Sequence, residues 1–250
     1  MAEDKALIPW EERLANEAKN VASMERPSIT GMSFRSGMMS INDVPVPGNK
    51  LNIVVLASAV EHALYTKPYD PNVIVPPDCF ALAIVPTDGS PRPDMIPHSD
   101  VPEPRAEACD ICEFFKWSSD PRPGSKGKAC KEKRRLVFIP ATSVADGEIE
   151  KSEVAMCGLP VTSVKNWGNY VNRCAAEFGR PPWAMLTEIS VVPDMRTQFQ
   201  VKFEAKGLVN SEYLDALHKK AQTSLNVLLT PYDMTQQAPP AAPSTGSKKF

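Results

Sequence analysis

Short apolar segments, separated by stretches rich in proline and glycine, dominate the hydrophobic pattern of this chain. The segments at 79–86, 136–139, 153–160, 185–192 and 199–203 predict strands. The last of these alternates apolar and polar residues with a period of two, which indicates a strand with one exposed face. The apolar run at 50–60 fits a buried strand or a short helix, because periodicity does not separate the two.

Three segments have the pattern of helices. Residues 9–25 begin with a proline in the first turn. A second helix begins at Thr162 or Ser163 and runs to Phe178, where Gly179 ends it. A third is capped by Asn210 or Ser211 and reaches about Leu229. Many short strands with few helices predict a mainly β fold: a small twisted barrel with flanking helices and one long inserted loop.

The same pattern predicts the domain organisation. Residues 1–27 form an N-terminal helical segment, and residues 28–230 form one domain with an insertion at about 95–135. Residues 231–250 are rich in proline and small polar residues, so we expect this tail to be disordered.

Composition narrows the class of protein. The chain has 25 prolines, a net charge of −2 and six cysteines. We see no signal peptide, and the longest apolar run, Ile53–Val60, is too short to span a bilayer. We therefore expect a cytoplasmic protein that is not secreted and has no membrane partner. In that compartment the cysteines stay reduced, and some of them bind metal.

The cysteine spacing indicates a structural zinc site. The pattern is His98-x10-Cys109-x2-Cys112-x17-Cys130, and Cys-x2-Cys lets two thiolates bind one zinc ion from a tight turn. Lys133 stands where a second Cys-x2-Cys pair would end, so the fourth ligand lies elsewhere. We prefer His98 because it lies in the same excursion from the core. Cys157 and Cys79 are the alternatives, and a set of reduced structural thiols without metal is the competing interpretation.

The motifs of zinc enzymes are missing. No His-x-Glu precedes the Cys-x2-Cys pair, as a nucleobase deaminase requires, and no His-Glu-x2-His occurs. Carboxylate pairs such as Glu148 and Glu150 have no histidine or basic partner at a recognisable spacing. We therefore predict that the protein is not an enzyme.

Positive charge is concentrated next to the cysteines. Residues 116–135 carry eight Lys or Arg and two acidic residues, a net charge of +6 in a chain whose total is −2. Cations beside exposed aromatic rings suit nucleic-acid phosphates and stacked bases, the usual combination in single-strand binding. The predicted contact residues are Lys116, Trp117, Arg122, Lys126, Lys128, Lys131, Lys133, Arg134 and Arg135, with Phe34 and Arg35 as further candidates.

A second hypothesis assigns the same loop to protein binding. In that case the protein is a zinc-ribbon adaptor, and the aromatic loop contacts replication or transcription proteins. Affinity for nucleic acid separates the two hypotheses.

Several motifs resemble one family of bacteriophage proteins. They are Trp10-Glu-Glu-Arg-Leu14, Ser33-Phe-Arg-Ser-Gly37, Tyr69-Asp-Pro71 with Pro77-Asp-Cys79-Phe-Ala81, and Gly127-Lys-Ala-Cys130-Lys-Glu-Lys-Arg-Arg135. These motifs are similar to those of the single-stranded DNA-binding proteins of tailed bacteriophages, and the resemblance as a whole covers roughly residues 8–205.

The resemblance implies an oligonucleotide/oligosaccharide-binding (OB) type barrel without catalytic activity. The protein would coat single-stranded DNA during phage replication or recombination, and replication proteins are possible partners. One feature departs from the pattern of such proteins. The chain ends in Phe250, but residues 235–250 contain no acid, whereas many single-strand binders recruit partners through an acidic tail.

Overall fold

The computed structural model describes residues 30–67, 75–86 and 90–234, together with residues 10, 12–14 and 17. These last positions are helical, as predicted for the segment 9–25. The rest of that segment and the proline-rich tail from 235 onward lie outside the described residues. So do residues 68–74, which carry the Tyr69-Asp-Pro71 motif. Among the helices that the structure describes, none is long and apolar enough to cross a membrane.

The structure is mainly β. The strands are β1 (Thr30–Arg35), β2 (Met38–Ile41), β3 (Val44–Pro45), β4 (Lys50–Leu64), β5 (Cys79–Ile84), β6 (Lys131–Pro140), β7 (Ala155–Leu159), β8 (Met185–Asp194) and β9 (Gln198–Leu208). The helices are α1 (Ala141–Ala145), α2 (Val164–Arg173), α3 (Leu214–Thr223) and α4 (Leu225–Leu228).

All described strands belong to one curled, mixed sheet, a half-barrel. Its order is β3-β2-β1-β7-β6-β4-β8-β9, and β5 pairs with β4 beside this path. Strands β1 and β7 are parallel, and the other pairs are antiparallel. The mainly β prediction is confirmed at this level of detail.

Strand β4 lies at the centre of the sheet. It is 15 residues long, and it pairs with β6 along one edge. Its other edge is shared by β8 at the beginning and by β5 at the end. The ambiguous apolar run 50–60 is therefore strand, in keeping with its β-branched residues Ile53, Val54, Val55 and Val60.

Apolar side chains cover both faces of this sheet. On the first face, Leu136, Phe138 and Cys157 pack with Trp167 and Tyr170 of α2. On the second face, Val54, Val137 and Ile139 pack with residues of α3 and α4. Since side chains alternate along a strand, neighbouring residues of β4, β5 and β6 belong to opposite faces.

The helix ends agree in part with the sequence prediction. Gly179 has a left-handed φ of 61° and ends the helical segment that follows α2, as predicted. The Asn210 side chain accepts a hydrogen bond from the Glu212 amide at the start of the third helical segment. Ser163 does not cap α2, because its hydroxyl accepts a hydrogen bond from the Val201 amide of β9 instead.

Strand β6 begins earlier than the sequence predicts. It starts at Lys131, within the predicted insertion, and runs through five charged residues before its apolar part. These charges are compatible with a strand because they are paired: Arg134 with Glu132 at 2.9 Å, and Lys133 with Glu61 of β4 at 3.6 Å. Pairing with β4 and β7 outweighs the polar composition.

A buried ion pair ties the C-terminal part of the chain to the second face. The Arg135 guanidinium is 2.7 Å from a Glu61 carboxylate oxygen, and it donates hydrogen bonds to the carbonyls of Leu228 and Thr230. The Tyr232 hydroxyl donates to the other Glu61 oxygen. Burial alone raises the pKa of Glu61, but the charges of Arg135 and Lys133 outweigh it, so the pKa lies below its ordinary value of 4.5.

We expect Glu61→Ala to lower the free energy of unfolding by about 3–5 kcal/mol, because the substitution leaves the buried Arg135 charge without a partner. Urea unfolding at neutral pH measures this loss. Glu148→Ala is the control, since Glu148 pairs with Lys151 on the surface and such pairs contribute about 0–1 kcal/mol.

The same residue gives a pH signature. Because its pKa is depressed on folding, the stabilisation from Glu61 is complete above its ordinary value of 4.5 and is lost as the pH falls through the folded pKa. Stability that falls less between pH 6 and pH 3 in Glu61→Gln than in the wild type supports this assignment. An equal fall in both proteins contradicts it.

Candidate metal centre and nucleic-acid interface

The segment between β5 and β6 crosses the first face of the sheet at the ends of β4, β5 and β6. Backbone hydrogen bonds fix its path: the His98 amide donates to the Phe80 carbonyl of β5, and the Cys109 amide donates to the Met95 carbonyl. Cys109 and Met95 then pack on Val60, Ala81 and Ala83. This small cluster is an apolar core that the segment shares with the sheet.

The Cys-x2-Cys pair forms a tight turn. The Cys112 amide donates to the Cys109 carbonyl at 3.3 Å, and the Phe115 amide donates to the Cys112 carbonyl at 3.1 Å. The Cys130 amide then donates to the Phe114 carbonyl at 2.8 Å, which brings the third cysteine of the loop back to this turn.

Four cysteines line one cavity. They are Cys109, Cys112 and Cys130 of the loop and Cys79, the first residue of β5. All are free thiols; Cys109 and Cys130 are buried, and the other two are partly buried. Among the described residues, no group of three or more His, Cys, Asp or Glu side chains is already arranged to hold a metal ion. The thiols therefore share a cavity without standing at ligand positions.

The environment keeps the two buried thiols protonated in the absence of metal. Burial, followed by the charges of Cys79 and Cys112, raises the pKa of Cys109 to about 12. Burial, followed by the charges of Cys109, Cys79 and Cys112, also raises the pKa of Cys130 to about 12, against a lowering effect of Lys128.

The other two predicted ligand candidates lie elsewhere. The His98 ring stacks on Phe80 with 4.8 Å between ring centroids, and Phe80 also contacts Tyr232 of the second face. Cys79 is adjacent to Phe80 in β5 and so points to the first face. Cys157 is buried in the main core with Leu136 and Phe138. Neither His98 nor Cys157 lines the thiol cavity.

An aromatic stack stands beside the thiols. Phe115 lies on the His62 ring with 4.1 Å between centroids, and the Lys128 ammonium lies 3.5 Å from the centroid of Phe115. His62 is buried and also lines the thiol cavity, and neither ring nitrogen has a hydrogen-bond partner in the described structure. Its Nε2 is 3.6 Å from a Glu132 oxygen. The nearby His62 ring, and then Arg134, lower the pKa of Glu132 to about 2.

A hairpin carries the exposed part of the loop. The Ser118 amide donates to the Lys126 carbonyl and the Asp120 amide to the Gly127 carbonyl. At the tip, the Ser125 amide donates to the Arg122 carbonyl, with Pro123 and Gly124 between them. Gly124 has a φ of 75°. Proline followed by a glycine with positive φ is the sequence of a type II turn.

Asp120 holds the base of this hairpin. Its carboxylate accepts from Arg122 at 2.6 Å and from Lys131 at 2.8 Å. These hydrogen bonds lower the pKa of Asp120 well below its ordinary range. The pairing therefore keeps Arg122 and Lys131 within the structure of the loop, although the Arg122 side chain is largely exposed.

The predicted contact residues divide into two groups. Lys116, Lys126 and Lys128 have no ion-pair partner among the described residues, and Trp117 beside them is 75% exposed. The Lys128 ammonium is 5.3 Å from the Trp117 ring. These four residues with Phe115 beneath them are called the Trp117 surface below. The second group consists of ion-paired cations: Arg122, Lys131, Lys133, Arg134 and Arg135.

Burial excludes two of the predicted contact residues, Arg135 and Phe34, from such a role and leaves Arg35 accessible. Arg135 is buried in its pair with Glu61, and Phe34 is buried in the main core. Arg35 is exposed at the end of β1. Strand β1 pairs with β7, and β7 pairs with β6. These registers place the end of β1 at the same end of the sheet as Arg134. Only Arg35 of these three is accessible to a ligand.

The sequence analysis missed His62, Glu61 and Asp120 as contributors to the site. Each is a lone polar residue whose partner lies far away in the sheet or across a turn, so spacing gives no signal for it. Comparisons with models of protein families, with curated proteins and with solved structures give no match.

We expect Asp120→Ala to loosen the hairpin, because Arg122 and Lys131 lose their shared partner. Trypsin should then cleave after Lys126 or Lys128 several times faster than in the wild type. Asp110→Ala is the matched control: Asp110 lies in the same loop and only accepts from the adjacent Ile111 amide. Equal cleavage rates in all three proteins would contradict the role of Asp120.

Proposed function

We propose that this protein binds single-stranded DNA during replication or recombination of a bacteriophage genome. It is not an enzyme in this proposal, and zinc holds its cysteine loop. The half-barrel would correspond to an OB-like barrel, and replication proteins are further possible partners. The resemblance of the sequence motifs to phage single-strand binders supports this choice.

The Trp117 surface is the observation that carries the proposal. The Trp117 indole is 75% exposed, so its burial contributes little to the stability of the fold. A free base presents an apolar π-face of matching size. Stacking of one base on an aromatic side chain contributes about 1–3 kcal/mol and tolerates any sequence.

The charges around Trp117 fit the phosphates of the same strand. Lys116, Lys126 and Lys128 have no carboxylate partner among the described residues, so binding a phosphate breaks no ion pair. The hairpin presents these cations from two adjacent chain segments, on both sides of the indole in sequence. Single strands expose both bases and phosphates, whereas a duplex hides its base faces in the stack. This pairing of groups therefore favours single strands.

We expect Trp117→Ala to weaken binding of an oligo-dT probe by about 1–3 kcal/mol, because one stacking contact is lost. Lys128→Ala should also weaken binding and should reduce the salt slope of log K by about 0.7, the contribution of one phosphate contact on a single strand. Fluorescence anisotropy at several salt concentrations measures both effects.

Lys219→Ala is the matched control. Lys219 is an exposed lysine of α3, on the second face of the sheet, where it pairs with Glu150. The Lys219→Ala variant should bind oligo-dT with the affinity of the wild type. No affinity of the wild type for oligo-dT, or equal affinity of all variants, would contradict the proposal. Binding of a replication protein without nucleic-acid affinity would favour the adaptor hypothesis.

A further inference from the structure

The thiol cavity has a size and lining that suit a single ion. Its volume is about 10 Å³, roughly the space of one water molecule. An organic ligand does not fit such a space. Besides the four cysteines, the cavity is lined mainly by apolar and aromatic residues, such as Leu64, Ala81 and Phe114.

Strand pairing determines which side chains reach this cavity from the sheet. Cys79 pairs with Leu64 and Ala81 pairs with His62, so these four residues share the first face. Phe80 pairs with Ala63 and belongs to the second face, where His98 stacks on it. Cys79 and not His98 is thus the residue that joins the three loop cysteines.

A second observation points to the same place. His62 lines the cavity and is buried, and its Nε2 lies 3.6 Å from a Glu132 oxygen, beyond hydrogen-bond distance. Neither ring nitrogen has a hydrogen-bond partner among the residues described. A buried polar group without a partner costs free energy, and such groups often mark a ligand that completes their surroundings. A ring N–H beside metal-bound sulfur would have an acceptor there.

We propose that Cys79, Cys109, Cys112 and Cys130 bind one zinc ion, which fastens the cysteine loop to strand β5. Four sulfur ligands and no open position are typical of structural zinc sites. Each thiol releases its proton when the ion binds. His62 would be a neighbour of the ligands and His98 would have no part in the site. The assignment names the ligands of the zinc ion that the proposed function includes, and it does not depend on nucleic-acid binding.

The ligand set gives zinc a different role from that of a loop-closing ion. Three ligands within the loop would join parts of the same segment to one another. A fourth ligand on a sheet strand also fixes where the loop stands, and with it the position of Phe115 and the Trp117 surface. This tie would add to the apolar cluster around Cys109 and to the stack of Phe115 on His62.

Competition of the full-length protein with a chromogenic zinc chelator tests the assignment. Cys79→Ser should lower zinc affinity by more than about 100-fold, the upper end of the loss seen when a neighbour of a ligand is removed. His62→Ala should lower zinc affinity by no more than about 10–100-fold, because His62 neighbours the ligands without binding the ion. His98→Ala should bind zinc with the same affinity as the wild type. Wild-type affinity in Cys79→Ser, or a large loss in His98→Ala, would overturn the proposal.

A second measurement uses the wild type alone and does not depend on how the variants fold. Zinc should protect Cys79 from alkylation together with Cys109, Cys112 and Cys130, as read by peptide mass spectrometry with and without the metal. Protection of the three loop cysteines without Cys79 would reject its role as a ligand. If Cys79 is not protected but the zinc-loaded wild type binds oligo-dT, the ligand assignment fails and the proposed DNA binding stands. The two proposals therefore fail separately.

Discussion

Two adjacent buried residues of β4, Glu61 and His62, organise the two faces of the sheet. Strand alternation sends them in opposite directions. Glu61 meets Arg135 and Tyr232 on the second face and so fixes the segment that follows α4. His62 meets Phe115 on the first face and so supports the cysteine loop. The position of the candidate site therefore depends on the register of β4 with β5 and β6.

The loop on the first face is held by specific contacts more than by a core. Its apolar contact with the sheet is a cluster of a few residues around Cys109, and the remaining constraints are polar or aromatic. Asp120 anchors the hairpin, Phe115 stacks on His62, and four thiols meet at one cavity. This arrangement leaves Trp117, Lys116 and Lys126 exposed, with the partly buried Lys128 beside the rings of Phe115 and Trp117.

The sequence predicted much of the fold because the strands carry β-branched apolar runs and the turns carry glycine and proline. It also predicted the Cys-x2-Cys turn and the charged loop. It did not predict that β6 begins at Lys131, because the charges of that segment are compensated by Glu61 and Glu132, one of which is 70 or more residues away.

The fourth thiol shows the same limit of sequence reasoning. Cys79 lies far from Cys109 along the chain and outside the predicted insertion, so proximity in sequence favoured His98. Only the pairing of β4 with β5 shows that Cys79 and Phe80 point to different faces. Likewise, a count of cations does not reveal which of them are already paired. That division depends on tertiary contacts such as Asp120 with Arg122 and Lys131.

The central claim is that the Trp117 surface contacts single-stranded DNA. Ultraviolet cross-linking of oligo-dT to the wild-type protein, followed by peptide mapping, tests it most directly. The account predicts cross-links in the peptides of the hairpin, at Trp117 or Phe115. Cross-links confined to other parts of the sheet, or none at a concentration that saturates binding, would contradict it.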